Sequence, residues 1–100
     1  MIKIKSNCIM LKVLKYVVDM TNTPILFNPN KLHNSVRDEA ISAGYLYLRY
    51  NQNSGNCFVV GCFGESTTLN VKSNPILDKK LIEEYIKNTS QNVATIFFEN

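Results

Sequence analysis

Tyr45 to Tyr50 alternates, with Leu46 and Leu48 on one side and Tyr45 and Tyr47 on the other. A period of two belongs to a β-strand with one covered face. Cys57 to Phe63 is the most apolar run of the chain and holds no charge. That texture predicts a central strand buried on both faces. Between these two, Asn51 to Asn56, containing Ser54-Gly55, has the composition of a hairpin loop. Pro24-Ile25-Leu26-Phe27 predicts a shorter strand that enters a turn at Asn28-Pro29-Asn30. Ile9 to Met20 reads two ways. Leu11, Leu14, Val17 and Val18 fit a helical stripe, while Val13, Lys15 and Val17 fit a strand; Tyr16-Val17-Val18 favours the strand.

Two segments carry helical spacing. Asn28 can cap, Pro29 suits a first helical position, and Leu32, Val36 and Ala40 recur every four residues. This predicts a helix of about three turns ending near Ser42-Ala43-Gly44, with His33 and Arg37 sharing a face. Pro75 opens the second helix with Ser73 or Asn74 as cap, and Ile82, Tyr85 and Ile86 as its apolar stripe. Asp78 falls in its first turn and Lys87 in its last, as the macrodipole prefers. Val93 to Phe98 predicts a closing strand. The order is β-β-α-β-β-α-β: an α+β fold with a mixed or antiparallel sheet of about five strands and two helices packed on it.

At 100 residues, 45 % apolar and 19 % charged, the chain reads as a single α+β domain over residues 1–100. A net charge of +3 is too small to argue for nucleic acid, which is a disfavoured partner on this reading, although lysines collect at positions 3, 5, 12 and 15. A weak nucleic-acid binder would use that edge with Tyr45 and Tyr47 as stacking surfaces. The N-terminal apolar stretch is broken by Lys12, Lys15 and Asp19, which predicts no membrane span, and no cleavage-type small residues follow it as in a secretory signal. Cys8, Cys57 and Cys62 are odd in number and lack framework spacing. They read as small apolar residues of a reducing compartment, so the expected location is cytoplasmic.

The candidate chemistry gathers at His33, the only imidazole, and at Gly64-Glu65-Ser66-Thr67-Thr68. A zinc site is disfavoured because Cys57 and Cys62 are five apart. A serine nucleophile elbow is disfavoured too, since Thr68 replaces the second glycine and His33 precedes Ser66. An anion site fits better. A glycine followed by three hydroxyl side chains can aim successive backbone N–H groups at one oxyanion, and histidine can shuttle a proton near neutral pH. Taken singly, each segment is also an ordinary surface feature: a polar turn and a solvated histidine.

The order of these parts resembles the Janus/phosphohistidine phosphatase family, from about Leu14 to Phe98. Leu14-Lys15-Tyr16-Val17 resembles its Phe-Lys-Tyr-Val opening strand, and Leu32-His33-Asn34-Ser35-Val36-Arg37-Asp38 its Tyr-His-x-x-Ile-x-Asp helix start. Phe63-Gly64-Glu65-Ser66-Thr67-Thr68 resembles its Tyr-Gly-x-Ser-x-Ala phosphate loop. The resemblance implies a metal-independent phosphatase-like domain without a cofactor. His33 would be the general base, Lys15 would hold the phosphate, and Gly64, Ser66, Thr67 and Thr68 would cradle it. The expected partner is then a phosphorylated protein or another anion. Glu65 departs from the pattern by adding a carboxylate that repels phosphate. That departure points to the alternative, a non-catalytic protein-interaction module on the same scaffold. A homodimer through strand pairing also stays open.

Overall fold

The computed structural model describes residues 9–51 and 57–98, with backbone alone for residue 9 and residues 89–98. Its backbone is set by one long antiparallel pair. β1 (Ile9–Val18) and β3 (Ser42–Asn51) match residue for residue, from Ile9 opposite Asn51 to Val18 opposite Ser42. β2 (Pro24–Phe27) flanks β1, and β4 (Cys57–Phe63) flanks β3, giving a four-stranded antiparallel sheet in the order β2-β1-β3-β4. The β1–β2 hairpin is tight because Asp19 Oδ1 accepts the backbone N–H groups of Thr21 (2.9 Å) and Thr23 (3.0 Å) while Asn22 takes a positive φ of 64°. Two short elements, β5 (Glu65–Ser66) and β6 (Val71–Lys72), form a separate antiparallel ribbon. The fold is α+β, with helices α1 (His33–Val36) and α2 (Pro75–Phe98).

Alternation sorts the strands into two faces. Leu14, Tyr16, Val18, Leu26, Leu46, Leu48, Val59 and Cys62 point to one side, where Ile82 and Ile86 of α2 complete the main core. On the other face, Val17, Phe27 and Ala43 pack with Ile25, Val36, Ala40, Leu69 and Val71 in a smaller core, which brings residues 28–41 and the β5–β6 ribbon over one end of the sheet. Leu46 and Leu48 are buried and Tyr47 is exposed, so β3 divides its sides as its alternation predicts.

Burial of the main core fixes α2 through one carboxylate. Asp78 is 1 % exposed and accepts hydrogen bonds from the Tyr16 hydroxyl on β1, from Ser42 Oγ on β3 (2.8 Å) and from the Asn74 backbone N–H (2.8 Å). Asn74 is the cap residue, since its carbonyl accepts the Asp78 N–H (2.8 Å), and Pro75 stands first in the helix where a missing N–H costs nothing.

Several sequence expectations are corrected. The first helix is a single turn, His33–Val36, capped by Leu32 without a side-chain bond. Asn28 instead closes a turn with Lys31, and Arg37 is already extended, so His33 and Arg37 share no helical face. The reason is competition: Ile41 N–H donates to Val18 O (2.9 Å), and Ser42-Ala43-Gly44 joins β3, because a full ten-residue pairing with β1 outweighs two further helical turns. Cys57–Phe63 is an edge strand, with Phe58, Val60 and Phe63 exposed, since α2 covers only one of its faces. Val93–Phe98 continues α2 instead of forming a strand; no glycine or proline interrupts Ile76 to Phe98, and Lys87 lies mid-helix. The Asn51–Asn56 loop falls outside the described residues beyond Asn51, which ends β3.

Removing the shared acceptor would leave the buried hydroxyls of Tyr16 and Ser42 without it and the Asn74 N–H uncapped. Asp78→Ala is expected to lose about 3 kcal/mol of stability, and Ser42→Ala about 1 kcal/mol, measured as urea midpoints. A near-native midpoint for Asp78→Ala would contradict this account of how α2 is held.

Candidate functional site

The register places four side chains in one row across the covered end of the sheet. Phe27 is opposite Lys15, Lys15 opposite Tyr45, and Tyr45 opposite Phe63. His33 lies against this row. Its ring meets Phe27 edge-on at 5.5 Å between centroids and Tyr45 edge-on at 5.9 Å. The Lys15 ammonium sits 5.8 Å from the Tyr45 ring centroid, within reach of its π-face, and donates to Lys31 O at 2.7 Å. Gly64 touches the same tyrosine: its φ is +82°, and a Cβ there would lie 3.0 Å from Tyr45 Cδ1. Lys15, His33 and Gly64, far apart in sequence, therefore converge on Tyr45.

The hydroxyl loop joins the cluster through its backbone and its threonine. Asn34 N–H, next to His33, donates to Thr68 Oγ1 at 3.3 Å. Ser66 is 1 % exposed, and its Oγ accepts the Leu69 N–H at 3.1 Å. Thr67 and Glu65 face solvent. Ser66 belongs to β5 instead of a loop, because Glu65 and Ser66 pair with Lys72 and Val71.

His33 is 3 % exposed, and its Nε2 lies 3.0 Å from Gly44 O. A carbonyl only accepts, so Nε2 carries the proton and Nδ1 is the free lone pair. Burial lowers the imidazole pKa below its ordinary 6.5; the Gly44 bond opposes this and the Lys15 charge adds to it. The result is a neutral imidazole, enclosed by Phe27 and Tyr45, with a fixed tautomer. Gly44 itself is required by packing, since a Cβ there would lie 2.5 Å from Phe63 O.

Two further features went unseen in the sequence. Tyr45 reads as one of several alternating tyrosines, and only the register makes it the hub. Tyr16, Ser42 and Asp78 are polar residues at positions where their neighbours are apolar, and that mismatch was the one available signal of a buried network.

Beyond Tyr45 the same face is open and aromatic. Tyr45 and Tyr47 stack on Phe63 at 5.7 and 5.2 Å with interplanar angles of 20° and 28°. Among the described residues, no group of three His, Cys, Asp or Glu side chains is placed to hold a metal ion, and no helix is long and apolar enough to cross a membrane. Burial raises the Cys57 thiol to about 11 and the Cys62 thiol to about 12. No family model, curated protein or solved structure matches the chain.

The sign of the His33 effect follows from its lowered pKa. The unfolded imidazole binds a proton more readily than the folded one, so stability from this site is fully present above about pH 6.5 and is lost as the pH falls through the lower native value. Urea midpoints are expected to drop between pH 7.5 and 5, with a shallower drop in His33→Gln. In a Cys8→Ser variant, Cys57 and Cys62 should react with a thiol reagent at pH 8 far more slowly in the native protein than in urea.

Proposed function

We propose that this domain is a non-catalytic interaction module that holds its partner on the β3–β4 side of the sheet. The observation that carries this reading is the engagement of His33: ring flanked by Phe27 and Tyr45, Nε2–H on Gly44 O, and 3 % exposed. A general base has to come within about 3 Å of the proton it takes, directly or through one water. Here the imidazole is better suited to fastening residues 28–41 onto β3. Three of the other groups expected at a phosphate are engaged likewise, Lys15 with Lys31 O, Thr68 with Asn34 and Ser66 with Leu69. By contrast, Tyr47, Phe58, Val60 and Phe63 remain exposed on β3 and β4. Free thiols at Cys57 and Cys62 suit a reducing compartment, the cytoplasm.

A phosphatase-like function is the second reading, favoured by the convergence of Lys15, His33 and Gly64 about Tyr45. The two separate cleanly in one assay. Purified protein incubated with phosphohistidine should release phosphate no faster than buffer, and His33→Ala should cost about 1–3 kcal/mol of stability. Release that requires both His33 and Lys15, measured on variants that remain folded, would establish the phosphatase reading in place of the module.

A further inference from the structure

Of the two terminal strands of the sheet, β2 (Pro24–Phe27, opening on a proline) and β4 (Cys57–Phe63), β4 has the longer outer edge. In the order β2-β1-β3-β4 it stands last, and among the described residues it pairs only with β3. Monomeric proteins protect such edges with charge, proline or a covering segment. Cys57-Phe58-Val59-Val60-Gly61-Cys62-Phe63 contains neither charge nor proline. Phe58 is 54 % exposed and Val60 is 53 % exposed. Its one irregularity is a bulge, where Val60 is skipped between Gly61 opposite Tyr47 and Val59 opposite Leu48.

Alongside this edge runs an open groove of about 700 Å³, between Cys57–Val59 of β4 and Lys80, Glu83, Glu84 and Lys87 of α2. Those four helical residues are all exposed and stand on one helix face, three or four residues apart. Their order, Lys-x-x-Glu-Glu-x-x-Lys, has a particular property. Laid antiparallel on itself and displaced by one turn, it sets lysines against glutamates. The rim is thus complementary to itself, whereas a strongly acidic or basic partner would meet equal numbers of like charges.

We infer that the partner held on the β4 side is a second copy of this chain, with the two β4 strands pairing antiparallel about a two-fold axis. This rests on the module reading and names the occupant of its surface. The pairing extends the sheet from four strands to eight and supplies the backbone partners that the β4 edge lacks among the described residues of one copy. Both α2 helices then lie on the same face of the joined sheet, antiparallel, with their charged rims meeting across the axis. Such an interface is isologous: each copy uses the same patch.

The full chain is tested by sedimentation equilibrium over a range of concentrations. A mass of twice 11.4 kDa is expected in the micromolar range. Val60→Lys should weaken self-association at least tenfold, with circular dichroism checking that it folds. A second pair of variants keeps β4 intact. Lys80→Glu with Lys87→Glu makes the rim wholly acidic, and Glu83→Lys with Glu84→Lys makes it wholly basic. Each alone should be monomeric, and a mixture of the two should recover a dimer that salt weakens. A monomer at every concentration overturns the inference, as does a dimer indifferent to both Val60→Lys and the rim reversals. Either outcome leaves the module reading standing, since that reading fails on His33-dependent phosphate release.

Discussion

A carboxylate removed from water has to find donors, and Asp78 finds them on three separate segments. Tyr16 belongs to β1, Ser42 to the start of β3, and Asn74 to the cap of α2. The first two lie at the same end of the long antiparallel pair, two residues from one another in register. By gathering them, Asp78 fixes where the helix begins and which face of the sheet it covers. Burial and hydrogen bonding to the carboxylate also push the Tyr16 hydroxyl far above its ordinary pKa, so it remains a donor at any working pH. The main core of leucines, valines and isoleucines supplies most of the stabilisation. The polar network adds directed bonds to that packing at the start of the helix.

The opposite face is organised by aromatic contact in place of charge. Tyr45 touches Lys15, His33, Phe63 and Gly64, which come from β1, α1, β4 and the connection into β5. A flat ring at the middle of a cross-strand row can accept an ammonium on its face and two ring neighbours, so one residue coordinates four segments. His33 completes the arrangement because an imidazole offers both an apolar plane for Phe27 and a directed N–H for Gly44 O. The same attributes serve catalysis elsewhere. Here the ring is 3 % exposed and lies against Phe27 and Tyr45.

An asymmetry follows from having a single long helix. α2 covers one face of the sheet, while the short helix and the β5–β6 ribbon cover only one end of the other. The remainder, toward β4, keeps Tyr47, Phe58, Val60 and Phe63 exposed beside an uncharged edge. Among the described residues neither the covering elements nor the strand's own composition shields this region, and the proposed interaction surface rests on that observation.

What the chain determined by itself was local. Alternation marked β3 and the sides of Leu46 and Tyr47; Pro24–Phe27 marked β2; Pro75 with its preceding cap marked the start of α2. These signals depend on neighbours within a few residues, and the fold class followed from them. Tertiary structure decided the rest. A helical spacing over Leu32, Val36 and Ala40 yielded to pairing with β1, because sheet register is a long-range choice. The uniformly apolar Cys57–Phe63 gave no sign that its strand would stand at an edge, since composition reports burial on average and carries no strand order. His33, Lys15 and Gly64 were individually legible as candidates. That they meet at Tyr45, and that the imidazole is enclosed there, depends on the row Phe27–Lys15–Tyr45–Phe63, which exists only once four strands are in register.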